Sequence, residues 1–202
     1  MRMGPSVLHS AEDIVNTWSE HELGRIFREW GEERAWRRLA GKIVQAREET
    51  PIRTTLQLAN LIGRPFRQPS SKHRRPGSRA IHPATRVFQA LRIAVNDELG
   101  CLEKVLPDAI QALTPGGRLA VISFHSLEDR VVKWAFLKAA GRSTPAEEGL
   151  RQALEFPGTA ADDEKAQKVA MIVTRRPVIA VEAEAAENPR SRSAKLRVLQ
   201  KL

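Results

Sequence analysis

The chain has 202 residues, room for one ordinary domain or one and a half small ones, with 42% apolar and 28% charged side chains. No apolar run approaches the roughly 18 residues that span a bilayer, which excludes a transmembrane protein, and the single cysteine, Cys101, excludes an internal disulfide or a cysteine-based metal site. The net charge is +9, from 33 basic and 24 acidic side chains, and the excess is local. Between Thr50 and Asn96 there is no Asp or Glu, but nine basic residues: Arg53, Arg64, Arg67, Lys72, Arg74, Arg75, Arg79, Arg86 and Arg92. The remainder of the chain balances at 24 of each sign. Such a patch reads as the electrostatic footprint of a polyanion, most often nucleic acid; the alternative is a solvated loop that keeps the protein soluble. The first residues, Met1 to Pro5, lead into no apolar signal core, which argues against secretion, and Glu12, Asp13, Glu20 and Glu22 argue against a transit peptide.

The first hundred residues read as a small helical bundle. Ser10 and Ser19 are candidate N-caps, and Ser19 with Glu22 makes a capping box. Leu23, Ile26, Phe27 and Trp30 fall on one stripe, and Trp36, Leu39, Ala40, Ile43 and Val44 repeat it. At these spacings the aromatic residues read as core rather than as stacking platforms for bases. A shorter helix fits Thr55 to Ile62, ended by Pro65. Gly63 to Ser78 is a basic loop rich in Pro, Ser and Gly. Pro83 suits the first turn of a helix that runs to about Leu99 and buries Val87, Phe88, Leu91, Val95 and Leu99. Cys101 to Leu113 continues as a helix with Leu102, Val105, Leu106, Ala109, Ile110 and Leu113 inward and a kink or break at Pro107.

The period then changes. Thr114-Pro115-Gly116-Gly117 is a turn, and Arg118 to Phe124 is a short apolar run that reads as a strand buried on both faces of a parallel sheet. Leu127 to Ala139 is helical, so this stretch reads as half of a doubly wound α/β unit. Gly141 to Gln167 reads as a surface excursion. Val169 to Thr174 and Ala194 to Leu199 read as two further strands bracketing Asn188-Pro189-Arg190-Ser191-Arg192.

Ligands of open α/β sheets bind at the carboxyl ends of strands. Ser123 to Arg130 occupies that place and gathers a hydroxyl, an imidazole, two carboxylates and a guanidinium within eight residues. The functional reading, centred on His125, is a site that positions a polar substrate. The structural reading is capping by Ser126 with Glu128 and Asp129 in the first turn, and the two are compatible. A Ser/His/Asp hydrolase lacks its Gly-x-Ser-x-Gly elbow here. His9, His21, His73, His82 and His125 show no paired metal-ligand spacing, so no metal is expected. Neither Gly-x-Gly-x-x-Gly nor a P-loop occurs.

Two long stretches, His82-Pro83-Ala84-Thr85-Arg86-Val87-Phe88-Gln89-Ala90-Leu91-Arg92 running on to Leu99, and Pro115-Gly116-Gly117-Arg118 running through Ser123-Phe124-His125-Ser126-Leu127-Glu128-Asp129-Arg130, resemble the RsmH (MraW) family of methyltransferases. Met1-Arg2-Met3 with Pro5, Gly31-Glu32-Glu33-Arg34 and Glu187-Asn188-Pro189-Arg190-Ser191-Arg192-Ser193 add to the resemblance, whereas Gly4 stands where the family usually has Asp. The likeness covers nearly the whole chain apart from the basic loop and residues 141–167.

The resemblance implies S-adenosylmethionine-dependent methylation of the exocyclic N4 of a cytosine in small-subunit (16S-type) ribosomal RNA, with that RNA or a 30S-type subunit as partner. It implies a class I Rossmann-like α/β domain into which a helical substrate-recognition domain is inserted. Residues 1–110, with the basic loop 63–80, would be mostly the inserted domain, and 111–202 the C-terminal half of the catalytic one. The glycine-rich loop and acidic residue that hold the cofactor would precede residue 1. On this reading His125, Ser126 and Glu128 help form the base pocket, and Asp129 and Arg130 fix its loop. His82, Thr85 and Arg86 close the site from the helical side, while Arg64, Arg67, Lys72, Arg74, Arg75, Arg79, Arg190 and Arg192 hold phosphates. The contrasting expectation is a non-catalytic RNA-binding or interaction protein derived from such an enzyme. The compartment would be the cytoplasm in a bacterium, or a plastid or mitochondrion in a eukaryote; no membrane partner is expected, and a second copy of the chain is a candidate one.

Overall fold

A computed structural model describes residues 1–4, 8–63, 83–142 and 168–202, which fall into two compact units, Met1–Glu98 and Leu99–Leu202. Among its described residues the first unit has five helices: α1 (Ala11–Thr17), α2 (Glu20–Glu29), α3 (Trp36–Glu49), α4 (Thr55–Ile62) and α5 (Pro83–Asn96). Three of them start on a capping box: Ser10 with Asp13, Ser19 with Glu22, and Thr54 with Gln57. In each, side chains satisfy backbone donors that the helix leaves orphaned. The predicted apolar stripes meet in one core that includes Ile14, Leu23, Ile26, Phe27, Leu39, Ile43, Val87 and Leu91. Trp18, Trp30 and Trp36 pack against it as expected. Trp36 also lies beneath Arg28 and Arg37, whose guanidinium carbons are 5.4 and 4.3 Å from its ring centroid.

Close backbone approach shapes the turn between α2 and α3. A β-carbon on Gly31 would sit 2.7 Å from the Phe27 carbonyl oxygen and 2.9 Å from that of Arg86, so only glycine lets α5 come this near. Two residues on, the buried Glu33 accepts a hydrogen bond from the Ala35 amide at 2.9 Å and faces Arg86 Nη1 at 3.5 Å. Asn96 ties the chain start to the end of α5: it accepts from the Met3 amide at 2.8 Å and donates to the Met1 carbonyl at 2.9 Å. Helix α5 stops there, three residues short of the predicted Leu99, because Asp97 turns into the left-handed region at φ 48°. Helix α4 ends at Ile62 on Gly63, at φ 79°; Pro65, the expected terminator, lies outside the described residues.

The second unit has α6 (Glu98–Gln111), β1 (Arg118–Ser123), α7 (Ser126–Ala139), β2 (Ala170–Ile172), β3 (Val178–Ile179), α8 (Glu182–Glu187), a 3-10 turn (Pro189–Ser193) and β4 (Lys195–Lys201). Helix α6 falls with this unit, so the division comes after Glu98 where the sequence suggests about residue 110. The reason is packing: Leu106 and Ile110 join Val131, Val132, Phe136, Ala170 and Leu199 in a second core. Pro107 neither breaks nor ends α6, and Val105, expected inward, is exposed.

The sheet departs from the parallel, doubly wound expectation. β4 is its spine and pairs antiparallel with β1, β2 and β3, with Leu119 opposite Leu199, Val121 opposite Arg197 and Ser123 opposite Lys195. Nor is β1 buried on both faces. Leu119 and Val121 pack into the core and Ser123 is buried, whereas Arg118, Ala120, Ile122 and Phe124 are exposed. The helices cover one face, and the period of two sends alternate residues outward. Strand β3 carries no apolar alternation long enough to be read from sequence.

Replacing Gly31 with Ala is expected to destabilise the helical unit by about 1–3 kcal/mol, since two backbone carbonyls must move to admit the methyl group. Urea unfolding followed by tryptophan fluorescence checks this, with an unchanged midpoint as the contrary result.

Candidate functional site

The chemistry-bearing residues of the second unit gather where β1 ends and α7 begins. His125, not Ser126, is the N-cap of α7: its Nδ1 accepts from the Glu128 amide at 3.4 Å. Glu128 reciprocates, Oε2 accepting from the Phe124 amide at 2.8 Å and the His125 amide at 3.3 Å. Sequence reasoning assigns the cap to Ser126 because serine is a habitual cap, whereas an imidazole in that role gives no ordinary signal. Acceptance at Nδ1 assigns the proton of the neutral ring to Nε2. That atom lies 3.1 Å from Glu128 Oε1 yet outside hydrogen-bond alignment, so it is buried without a straight partner.

This box fixes the electrostatics of Glu128. The His125 side chain, with Nε2 3.1 Å from Oε1, is the largest influence; burial opposes it, and the Phe124 amide adds to it. Together they lower the carboxyl from 4.5 to about 2. A carboxylate this weakly basic is a poor proton acceptor at neutral pH. The geometry makes Glu128 the hydrogen-bond acceptor that closes the turn.

Asp129, next in sequence, points to the sheet. Its two carboxylate oxygens accept from Arg197 Nε at 2.7 Å and Nη2 at 3.1 Å, and Lys195 Nζ stands 3.7 Å away. Burial pushes this carboxyl up, but the Arg197 hydrogen bonds and charge, with Lys195, outweigh it and hold the group below its ordinary 3.8. Arg197 itself is only 8% exposed. Asp129 is thus tied to β4, through a partner 68 residues away that the linear sequence could not indicate. Phe124, to which sequence reasoning gives no role, presents an exposed aromatic ring on the outer face of β1, immediately before His125. The strict alternation along β1 is the signal that points its side chain outward.

The remaining predicted residues are dispersed. Ser126 and Arg130 lie in the first turns of α7, Ser126 half-buried and Arg130 exposed. Arg190 and Arg192 are exposed on the 3-10 turn before β4. In the helical unit Thr85 is exposed near the start of α5, and Arg86 is engaged with the buried Glu33. His82, Arg64, Arg67, Lys72, Arg74, Arg75 and Arg79 lie outside the described residues.

Comparison with known proteins gives a consistent likeness. The model of the MraW methylase family matches residues 1–202. The chain is 49% identical over 202 residues to "Ribosomal RNA small subunit methyltransferase H" of Geobacter sulfurreducens, covering all of this chain and 60% of that protein. It is 48% identical over 205 residues to the protein of the same name from Protochlamydia amoebophila, covering all of this chain and 59% of that one. With that of Deinococcus radiodurans it shares 49% over 199 residues, 98% of this chain and 52% of the other. The chain thus spans about 60% of the length of the first two curated relatives. Among the described residues, no helix is long and apolar enough to cross a membrane.

Replacing Asp129 with Ala strands the buried Arg197 guanidinium and is expected to cost about 3–5 kcal/mol, most of it recovered in an Asp129→Leu, Arg197→Met double variant. Denaturant unfolding of the three proteins tests this, and a silent single substitution contradicts it. Both acids have folded pKa values below their unfolded ones, so the stability they contribute is present above pH 4.5 and lost as the pH falls, toward 2 for Glu128. A Glu128→Gln variant should show a shallower acid limb in thermal melts over that range.

Proposed function

The chain belongs to the MraW methylase family, and from that premise we propose that it forms the RNA-facing part of an S-adenosylmethionine-dependent enzyme that methylates N4 of a cytosine in small-subunit (16S-type) ribosomal RNA. The observation that carries this reading is the reciprocal His125–Glu128 box, which holds an exposed aromatic residue and a polar turn at the carboxyl end of β1. The names of the relatives support the RNA substrate. Their bacterial origin supports the cytoplasm and lends an organelle no support.

Cytosine N4 is a poor nucleophile because its lone pair is delocalised into the ring, so acceleration depends mainly on placing the amine and on hydrogen bonds that draw off its developing charge. The target base must leave its stack to be reached. In this proposal the Phe124 ring offers the base a stacking face, and Ser126 offers its edge a hydroxyl. His125 and Glu128 act as positioning residues that hold both in place. Arg190 and Arg192 meet the backbone phosphates.

These residues alone do not fit the methyl donor. The amides of Phe124, His125 and Glu128 are taken up within the capping box. The sequence also contains no Gly-x-Gly-x-x-Gly turn. No step through S-adenosylmethionine is therefore derived from this chain, and calorimetry on the 202 residues should show millimolar or absent binding. Micromolar binding would overturn that statement.

The activity is tested by incubating full-length protein bearing these residues with unmodified small-subunit RNA and labelled S-adenosylmethionine, then analysing the nucleosides by mass spectrometry. N4-methylcytidine is the expected product. His125→Ala should lower kcat by about 10²-fold through misplacement of the turn, while RNA affinity stays near that of the parent. RNA binding with no methylated nucleoside would instead favour a non-catalytic RNA-binding protein.

A further inference from the structure

Lys133 on α7, Arg142 just beyond it, Lys168 before β2 and Arg175 after β2 line one cleft of about 330 Å³ within the second unit. All four side chains are exposed. Among the described residues no carboxylate lines the cleft, and none of the four cations makes an ion pair. Within the described residues these like charges face one cleft, an arrangement that attracts an anion. The fifth cation of the wall, Arg197, is different: it is buried and already neutralised by Asp129.

The floor beneath these cations is apolar, with Phe136 at its base and Met171 and Ile172 along β2. Thr174 Oγ1 accepts from the Val198 amide at 2.8 Å, which leaves its hydroxyl proton to donate elsewhere. A rim of cations over an apolar floor suits a sugar–phosphate chain, whose riboses pack while its phosphates pair. A small hydrated anion gains nothing from such a floor.

We propose that this cleft is a second RNA-backbone site, one that binds phosphodiester groups alongside the C-terminal half of α7, from Lys133 to Arg142, apart from the His125 turn. Lys133 follows His125 by eight residues, on the order of 12 Å along the helix. An RNA engaged at both spans a few nucleotides. This inference rests on the RNA-binding part of the proposed function and is independent of the methylation chemistry.

The test measures binding of a short fluorescein-labelled single-stranded RNA to the 202-residue chain across a KCl series. Replacing Lys133, Arg142, Lys168 and Arg175 together with Gln should weaken binding and flatten the dependence of log K on log salt by about 0.7 for each phosphate that is no longer neutralised. A control replaces Arg25, Arg34, Arg118 and Lys138, four exposed cations outside the cleft and outside the basic run, with Gln. It carries the same change in net charge and should leave the slope close to that of the parent. Equal effects of the two sets, or an unchanged slope in the first, would overturn the proposal. Displacement of the RNA by micromolar inorganic phosphate or ADP would also overturn it, because the cleft would then be a small-anion pocket. Circular dichroism checks folding, and the single Lys168→Gln and Arg175→Gln variants give the same readout if the quadruple variant unfolds. A chain that binds RNA through the cleft but yields no N4-methylcytidine refutes the methylation reading alone. Wild-type binding that ignores the cleft substitutions refutes this inference alone.

Discussion

Arg197 occupies an inward position of β4, opposite Val121, where a strand that packs under helices ordinarily places an apolar side chain. Its charge is tolerable there because Asp129 meets it with both carboxylate oxygens. The pair joins the spine of the sheet to the first turn of α7. Because a bidentate contact admits little rotation, it sets the roll of α7 about its own axis. That roll brings Val132 and Phe136 into the core, carries Lys133 and the residues after the helix to the cleft, and aims the capping turn at the end of β1.

The two adjacent acids divide the work by helical geometry. Successive residues on a helix point about 100° apart, so Glu128 can face back to the turn while Asp129 faces the sheet. Glu128 organises the segment before the helix, and Asp129 anchors the helix behind it. In the proposed function, chemistry at this turn falls to groups that the acids position, Phe124 and Ser126 among them. A turn held by reciprocal hydrogen bonds is organised before a substrate arrives, which suits the proposed reaction, where placement dominates.

The helical half of the chain is legible because its signals are local. A Ser at the cap with an acid three residues on, or an apolar residue at every third or fourth place, states its own geometry, and α2, α3 and α4 appear where those patterns put them. The second unit is legible in its elements but not in their pairing. An apolar run such as Arg118 to Phe124 reads alike in parallel and antiparallel sheets, and the strand that pairs with it lies more than 70 residues away. The basic run from Arg53 to Arg92 announces itself in the sequence. The cations of the cleft sit at positions 133, 142, 168 and 175, scattered along the chain, and only the fold brings them together. His125 stands out in the sequence as a candidate site residue, while its capping of α7 is visible only in the fold.

The position of the spine within the order of synthesis carries a further consequence. β4 is formed by residues 195–201, so β1 leaves the ribosome long before the strand that completes its hydrogen bonds exists. Until then the nascent chain carries an unpaired edge next to Ile122 and Phe124, an arrangement that invites association with other chains. The helical unit, whose contacts close within the first 98 residues, has no such delay. Slowed translation between residues 124 and 195 would therefore prolong the exposure of this segment.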